Sequence, residues 1–224
     1  MKRGRQKAGS VSDRYEATGP EAEFEPGSRG RVLRNLLGIV SSREMARSES
    51  VALLDATQTL IDQTRVGDRF TAVEIRRMHR LWLGRIYSWA GNYRTVNIAK
   101  GQFMFAAAMH VPNLMDDLER GALRQYTPCR FTARADQAKA LAIVHAELIL
   151  IHPFREGNGR CGRLLAVLMG LQAGLPALDF GGIRGAERQR YIEAIHAGLD
   201  RNYEPMMEIF DRVIVRTLRG IKRP

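Results

Sequence analysis

The stretch from Thr132 to Ile151 restricts the fold most, because it carries Leu141, Val144, Leu148 and Ile151 at heptad-like spacing with alanines between them. That pattern predicts a buried helix. Pro153 must end it, since proline cannot continue a helix. A second helix is expected to begin near Asn158 and to run to about Leu171, with Gly174 and Pro176 just beyond its end. The chain must therefore join two helices through a short loop rich in polar residues and glycine.

The loop and the turn after it read His152-Pro153-Phe154-Arg155-Glu156-Gly157-Asn158-Gly159-Arg160-Cys161-Gly162-Arg163. Glycines allow unusual φ values and let backbone amides approach a ligand closely. A helix N-terminus offers unpaired N–H groups and the positive end of a dipole, a natural phosphate site. Arg160 and Arg163 share one helical face and can both grip phosphate oxygens. Glu156 is a hard oxygen ligand suited to Mg²⁺ that bridges phosphates. His152 titrates near neutrality and can take a proton from an incoming hydroxyl. Together these are the parts for nucleophilic attack on a nucleotide phosphate. Other single residues have plainer explanations: His79, His110, His145 and His196 are expected to be caps or satisfied polar groups, and Cys161 a small packing residue.

Two nucleotide-binding patterns are set aside. Gly157 to Gly162 match G-x-G-x-x-G, with Asp179 downstream, but that fingerprint needs a strand running directly into the first glycine. Here a helical pattern precedes it, and Pro153 to Glu156 intervene. No G-x-x-x-x-G-K-[ST] occurs. The chain of 224 residues, 45% hydrophobic, suits one well-packed domain with a short appendage. A net charge of +11 raises nucleic-acid binding, but no finger spacing or RNP aromatic pattern supports it. No apolar run is long enough to span a membrane, and no secretory signal follows the basic N-terminus. Cys129 and Cys161 form no metal or disulfide pattern, which fits a reducing cytoplasm.

Residues 1–30 are rich in Gly, Pro, Ser and charge, and are expected to form an arm, with Tyr15 and Phe24 available to pin its second half. Residues 31–224 form the domain. One helix is expected from Ser41-Ser42 to about Gln63, with Met45, Leu53, Leu60 and Ile61 as its apolar positions. Thr71 with Glu74 makes a capping box for the next, whose buried stripe would be Val73, Met78, Leu81 and Trp82. Thr95–Ile98 and Gln102–Phe105 are expected as two short strands about a Gly101-containing turn, a lone hairpin on a helical body. Further helices are expected over Pro112–Arg124, Gly185–Leu199 and Glu204–Arg219.

The loop resembles the signature of the Fic family, H-x-F-x-[D/E]-G-N-G-R-x-x-R, at every defined position. Ile86–Arg94 resembles the segment that leads into that family's flap hairpin, and Asn97–Phe105 the flap itself. Asn35–Ile39 resembles the lead-in to the first helix of bacterial Fic toxins, so the likeness covers Arg31 to Arg219. It implies a mainly α Fic fold, a bundle of about seven or eight helices with a β-hairpin flap.

The implied activity is that of a protein adenylyltransferase, with ATP as donor, Mg²⁺ as cofactor, and a Ser, Thr or Tyr hydroxyl of a target protein as acceptor. His152 would deprotonate that hydroxyl, and Phe154 would anchor the loop. Glu156 would hold the metal. Gly157, Asn158 and Gly159 would form an anion hole, with Asn158 on the α-phosphate and Arg160 and Arg163 on the phosphate chain. The flap residues Lys100, Gly101, Gln102, Phe103, Met104 and Phe105 would clamp the target by strand addition. Gly159 departs from relatives that act as kinases and carry Lys there, and Gly157 from phosphocholine-transferring relatives, where Ala is usual. GMP and UMP donors stay open. The family's self-inhibitory [ST]-x-x-x-E-[GN] is met only in part, by Ser12 to Ala17. That suggests a toxin whose inhibitory glutamate helix lies on a small separate antitoxin, which the basic charge would suit. The alternatives are a nucleotide-binding regulator without transfer activity and a basic nucleic-acid-binding module. Delivery to another cell also stays open.

Overall fold

The computed structural model describes residues 16–17 and 23–221, so Tyr15 and most of the expected arm lie outside the described residues. The helices are α1 (Ser42–Gln63), α2 (Ala72–Leu83), α3 (Val111–Leu118), α4 (Arg134–Ile151), α5 (Asn158–Gln172), α6 (Ala186–Ala197) and α7 (Glu204–Ile221). The end of α3 continues through a wider π-helical turn, Glu119–Leu123, into a last turn at Arg124–Tyr126. The architecture is mainly helical, as expected. Among the described residues no helix is long and apolar enough to cross a membrane.

Helix α4 is the axis of the molecule. Its Ala140, Leu141, Ala142 and Ala146 are all fully buried. Beyond its first two residues, only the stripe from Asp136 through Lys139, Ile143 and Glu147 to Leu150 meets solvent or is half-buried, so most of the helix surface must be covered by other elements. Helices α5 and α7 make its most extensive packing, and α3 and α6 also lie against it. A second apolar cluster, built on Met45, Ala56, Trp82, Leu83, Ile86 and Tyr87, joins α1 and α2 to the lead-in segment through Val32 and Ile39.

Local chemistry explains the helix starts. Ser41 and Thr71 cap α1 and α2, their hydroxyls accepting from the N–H groups of Glu44 at 3.4 Å and Glu74 at 3.1 Å. The stripe of α2 differs from expectation. Val73 is 66% and Leu81 42% exposed, while Ile75, Met78, His79 and Trp82 are buried. Ile75, Met78, His79 and Trp82 follow i, i+3, i+4, i+7 spacing, and buried His79 takes a place that an apolar count assigns to Leu81.

The sheet has the order β1 (Glu16–Ala17), β2 (Ile98–Lys100), β3 (Phe103–Met104), all antiparallel. Lys100 pairs with Phe103 across a turn at Gly101, whose φ of +59° is a glycine conformation. Two expectations are corrected. The hairpin is not alone, because Glu16 and Ala17 lie opposite Ala99 and Ile98 as a third strand. Its strands also start later than expected, because the carbonyl of Val96 is taken by the Arg94 guanidinium at 2.8 Å instead of by a strand.

The central position of α4 predicts a large cost for truncation there. Leu141→Ala should lower the unfolding free energy by about 2–5 kcal/mol, read as a lower urea midpoint at unchanged slope.

Candidate active site

His152 ends α4 in the left-handed conformation, φ 52° and ψ 61°. A non-glycine residue held there costs about 1–3 kcal/mol and persists only where its surroundings over-determine it. Three bonds do so. The His152 N–H donates to the Leu148 carbonyl at 3.1 Å, its Nδ1 lies 2.9 Å from the Ile149 carbonyl, and its own carbonyl accepts from Arg94 Nε at 2.7 Å. A carbonyl only accepts, so the ring proton sits on Nδ1 and Nε2 carries the lone pair. Burial pushes the His152 pKa down to about 3; the charges of Arg94 and Lys100 push the same way, against the bond to Ile149. The ring of Phe105, just past β3, stacks on the imidazole at 3.7 Å between centroids.

The loop after His152 is locked from within. The Phe154 N–H donates to Asn158 Oδ1 at 2.8 Å, and Asn158 Nδ2 donates back to the Phe154 carbonyl at 2.8 Å. Phe154 is buried, stacked 3.8 Å from the ring of His79. His79 Nδ1 accepts from the Gly91 N–H at 2.9 Å, which leaves Nε2–H to donate to the Glu156 carbonyl at 3.0 Å. His79 is therefore a satisfied polar group, as expected, but one that holds the loop. Gly157 begins α5 with φ +84°, and a Cβ there would lie 2.7 Å from the Trp82 ring. Backbone and contact both demand glycine. Its N–H donates to Glu156 Oε1 at 2.9 Å, which sets that carboxylate at the helix N-terminus.

The two arginines have separate anchors. Arg160 Nη1 pairs with Glu49 Oε2 at 2.8 Å, and its guanidinium lies over the Trp82 ring at 4.6 Å. Glu49, on α1, is buried; its Oε1 accepts from the Tyr87 hydroxyl at 2.7 Å and its carbonyl from Trp82 Nε1 at 2.9 Å. Arg160 Nη2 also stands 3.7 Å from Glu156 Oε1. Arg163 lies against the Tyr191 hydroxyl, which is 2.7 Å from His145 Nε2.

A cleft of about 740 Å³ collects most of the expected residues: Lys100, Gly101, Phe103, Phe105, His152, Glu156, Gly157, Gly159, Arg160 and Arg163. Gln102 and Met104 lie exposed at the hairpin and do not line it, and Asn158 is buried beneath. Arg184, Arg188, Tyr191 and His196 complete the far wall, His196 stacking on Phe103 at 4.4 Å. Sequence reasoning missed Glu49, Arg94, Tyr191 and the two far-wall arginines, and assigned His196 no role. Glu49 lies 111 positions from Arg160, so no local spacing could have paired them. Arg94 alone had a signal, as the last residue before the hairpin segment.

Burial holds His79 and His145 at a pKa of about 4 and His152 at about 3, all below the ordinary 6.5. The unfolded chain takes up these protons as pH falls below 6.5, whereas the folded chain does not until near 4 or 3. Stability should therefore be full above the unfolded value of 6.5 and fall as pH drops from 6.5 to 5, by up to about 1.4 kcal/mol per pH unit for each histidine. Urea denaturation of His145→Gln should show that slope reduced by roughly a third.

Residues 69–169 match the model of the Fic/DOC family. The protein adenylyltransferase VbhT of Bartonella schoenbuchensis is 30% identical over 175 residues, which cover 75% of this chain and 35% of that protein. This chain thus spans little more than a third of that relative's length. The probable protein adenylyltransferase Fic of Escherichia coli is 29% identical over 190 residues, 82% of this chain and 88% of that one. The crystal structure of the BepC protein of Bartonella tribocorum with bound AMPPNP superposes with a TM-score of 0.66 at 22% identity, covering 81% of this chain and 91% of that one. With the same fold and the signature loop between its two central helices, the chain belongs to the Fic/DOC family.

Proposed function

We propose that this chain transfers AMP from ATP onto a Ser, Thr or Tyr hydroxyl of another protein. The observation that carries the reading is the cleft itself, lined by His152, by Gly157 and Gly159 at the start of α5, and by Lys100, Arg160, Arg163, Arg184 and Arg188. So many cations beside the N-terminal end of a helix suit a triphosphate. The adenylyltransferase names of the relatives and the AMPPNP bound to BepC support the same reading.

In this reaction His152 Nε2 takes the proton of the acceptor hydroxyl as its oxygen attacks the α-phosphorus. The bond from that phosphorus to the bridging oxygen breaks, and pyrophosphate leaves with the electron pair. The amides at the start of α5 and the cationic lining receive the charge that develops. Asn158 acts chiefly through the loop it locks, since its Oδ1 and Nδ2 both engage Phe154.

Glu156 would hold Mg²⁺. Among the described residues no group of three or more His, Cys, Asp or Glu converges. One carboxylate together with substrate phosphates is a common Mg²⁺ arrangement, so the donor set fits. The ion would neutralise phosphate charge.

The acceptor segment adds to the hairpin by backbone pairing. With Glu16–Ala17 on the outer edge of β2, the edge that receives it is that of β3. Residues 31–224 are the catalytic unit, and Glu16–Ala17, from the stretch expected as an arm, pair with the hairpin. Glu16 lies in that strand and not in a helix at Arg163, so an inhibitory glutamate would come from an acidic antitoxin, in the cytoplasm and within a toxin–antitoxin pair. The net charge of +11 suits such a partner.

Purified chain, ATP labelled at the α-phosphate, Mg²⁺ and bacterial lysate should give labelled protein. His152→Ala should lose about 10²–10⁴ of that rate. Equal labelling by the variant would remove His152 from the chemistry, and salt-sensitive DNA binding without label would favour the nucleic-acid reading. Because the His152 pKa is held near 3, the ring keeps its lone pair as pH falls. With ATP far below saturation, where the initial rate reports the unliganded protein, it should therefore stay level from about pH 7.5 to 6; a limb centred at the ordinary histidine value under that condition would contradict this.

A further inference from the structure

Arg94 is 2% exposed, and the carbonyls it reaches belong to three different segments. Its Nε donates to the His152 carbonyl at 2.7 Å and its Nη2 to the Ile151 carbonyl at 3.4 Å, both at the end of α4. Nη1 donates to the Val96 carbonyl at 2.8 Å, on the way into the hairpin, and Nη2 also to the carbonyl of Ala106, on the way out. The Arg94 N–H itself donates to the Pro153 carbonyl at 2.8 Å. One side chain thus pinches the two feet of the hairpin together and fastens them to the peptide of His152.

We propose that Arg94 is a positioning residue that sets the reach from the hairpin to His152, and so places the acceptor hydroxyl within range of Nε2. This rests on the transfer reaction proposed above for its functional consequence, though not for its structural one. The geometry explains why the reach is fixed. Ala106 follows Phe105 directly, so the bond to its carbonyl holds the Phe105 ring against the imidazole, 3.7 Å away. Phe105 in turn closes the hairpin, its N–H donating to the Ile98 carbonyl at 3.2 Å. A segment paired to the hairpin is then referenced to His152 through a rigid path of backbone bonds. Reaction needs that precision, because a misplacement of about 1 Å can cost about 10²-fold in rate.

Arginine suits this place for a geometric reason. Its planar fork directs N–H groups outward from three nitrogens, so it can meet carbonyls on several sides at once. The ammonium of lysine carries all its donors on one atom and cannot span the hairpin feet and the helix end together.

The test uses the full chain as Arg94→Lys and Arg94→Gln, with amide hydrogen exchange, nucleotide affinity for ADP and acceptor labelling measured on each. Exchange should quicken together in residues 97–106 and 152–158 and stay unchanged in α1. ADP affinity should hold within a few-fold, while labelling falls by about 10²-fold. Exchange that quickens in only one of the two segments would overturn the proposal. So would acceleration that includes α1 in both variants, which would make Arg94 a general fold residue, and so would a loss of ADP affinity as large as the loss of labelling. Should the unaltered chain label no protein, the transfer reading fails by itself, and the exchange pattern still decides whether Arg94 couples hairpin and loop.

Discussion

The left-handed turn at His152 is the constraint on which the rest of the site depends. The last turn of α4 is buried at Leu148, Ile149 and Ile151, so it cannot shift freely to relieve a bad backbone angle. Pro153 forbids another helical turn, and the chain must reverse within one residue. Reversal at φ 52° folds the imidazole back over its own helix, where the Ile149 carbonyl accepts a hydrogen bond from Nδ1–H. The lone pair on Nε2 follows from that one bond. A last turn without that burial could have frayed and let the ring choose another tautomer.

Buried charge is managed around this turn by two different means. Arg94 meets carbonyl dipoles, whereas Arg160 meets Glu49, itself only 7% exposed. Taking a charge out of water costs several kcal/mol unless partners replace the lost hydration. For Arg94 the partners are backbone oxygens, which any sequence would supply at those positions. For Arg160 the partner is a single carboxylate on another helix, supported by the Tyr87 hydroxyl and framed by Trp82. The Trp82 ring also fills the space where a side chain at Gly157 would go. Trp82 therefore supports both the first motif arginine and the start of α5. The second motif arginine depends on neither, because Tyr191 and His145 come from other helices.

What the sequence made legible follows from the range of each interaction. Caps at Ser41 and Thr71, the stop at Pro153 and the glycine start of α5 are local, and all stand where residue chemistry puts them. The cleft residues on the loop were legible because they lie within one stretch of chain. The hairpin was legible in kind but starts later than expected, since the Arg94 guanidinium, held by the His152 carbonyl 58 positions away, also takes the carbonyl of Val96. The stripe of α2 was misread at Val73 and Leu81 because hydrophobicity was counted, while the position facing the loop belongs to His79. Its burial depends on Gly91 and on Glu156, 77 positions away, which no period in α2 encodes. Glu49 and Tyr191 share that difficulty: each is an ordinary polar residue on a helix until the fold sets it beside an arginine.

A base held near pKa 3 is by itself a poor proton acceptor, and the structure suggests how that is compatible with its proposed use. Burial and the charges of Arg94 and Lys100 keep the imidazole neutral in the protein alone, so its lone pair is not lost to solvent protons. A triphosphate in the same cleft would act with the opposite sign, because negative charge close by favours the protonated ring. The drive to accept a proton would then arise with the substrate, at the moment an acceptor hydroxyl is delivered along the hairpin. Phe105 matters in the same argument. Stacked on the imidazole, it covers one face of a ring that is only 3% exposed, and in the proposed reaction that would shield the base from water. Neutrality and burial of the ring, and in the proposed reaction the reach of the hydroxyl, would thus follow from one packing arrangement, in which the foot of the hairpin and the end of α4 are tied at the same point.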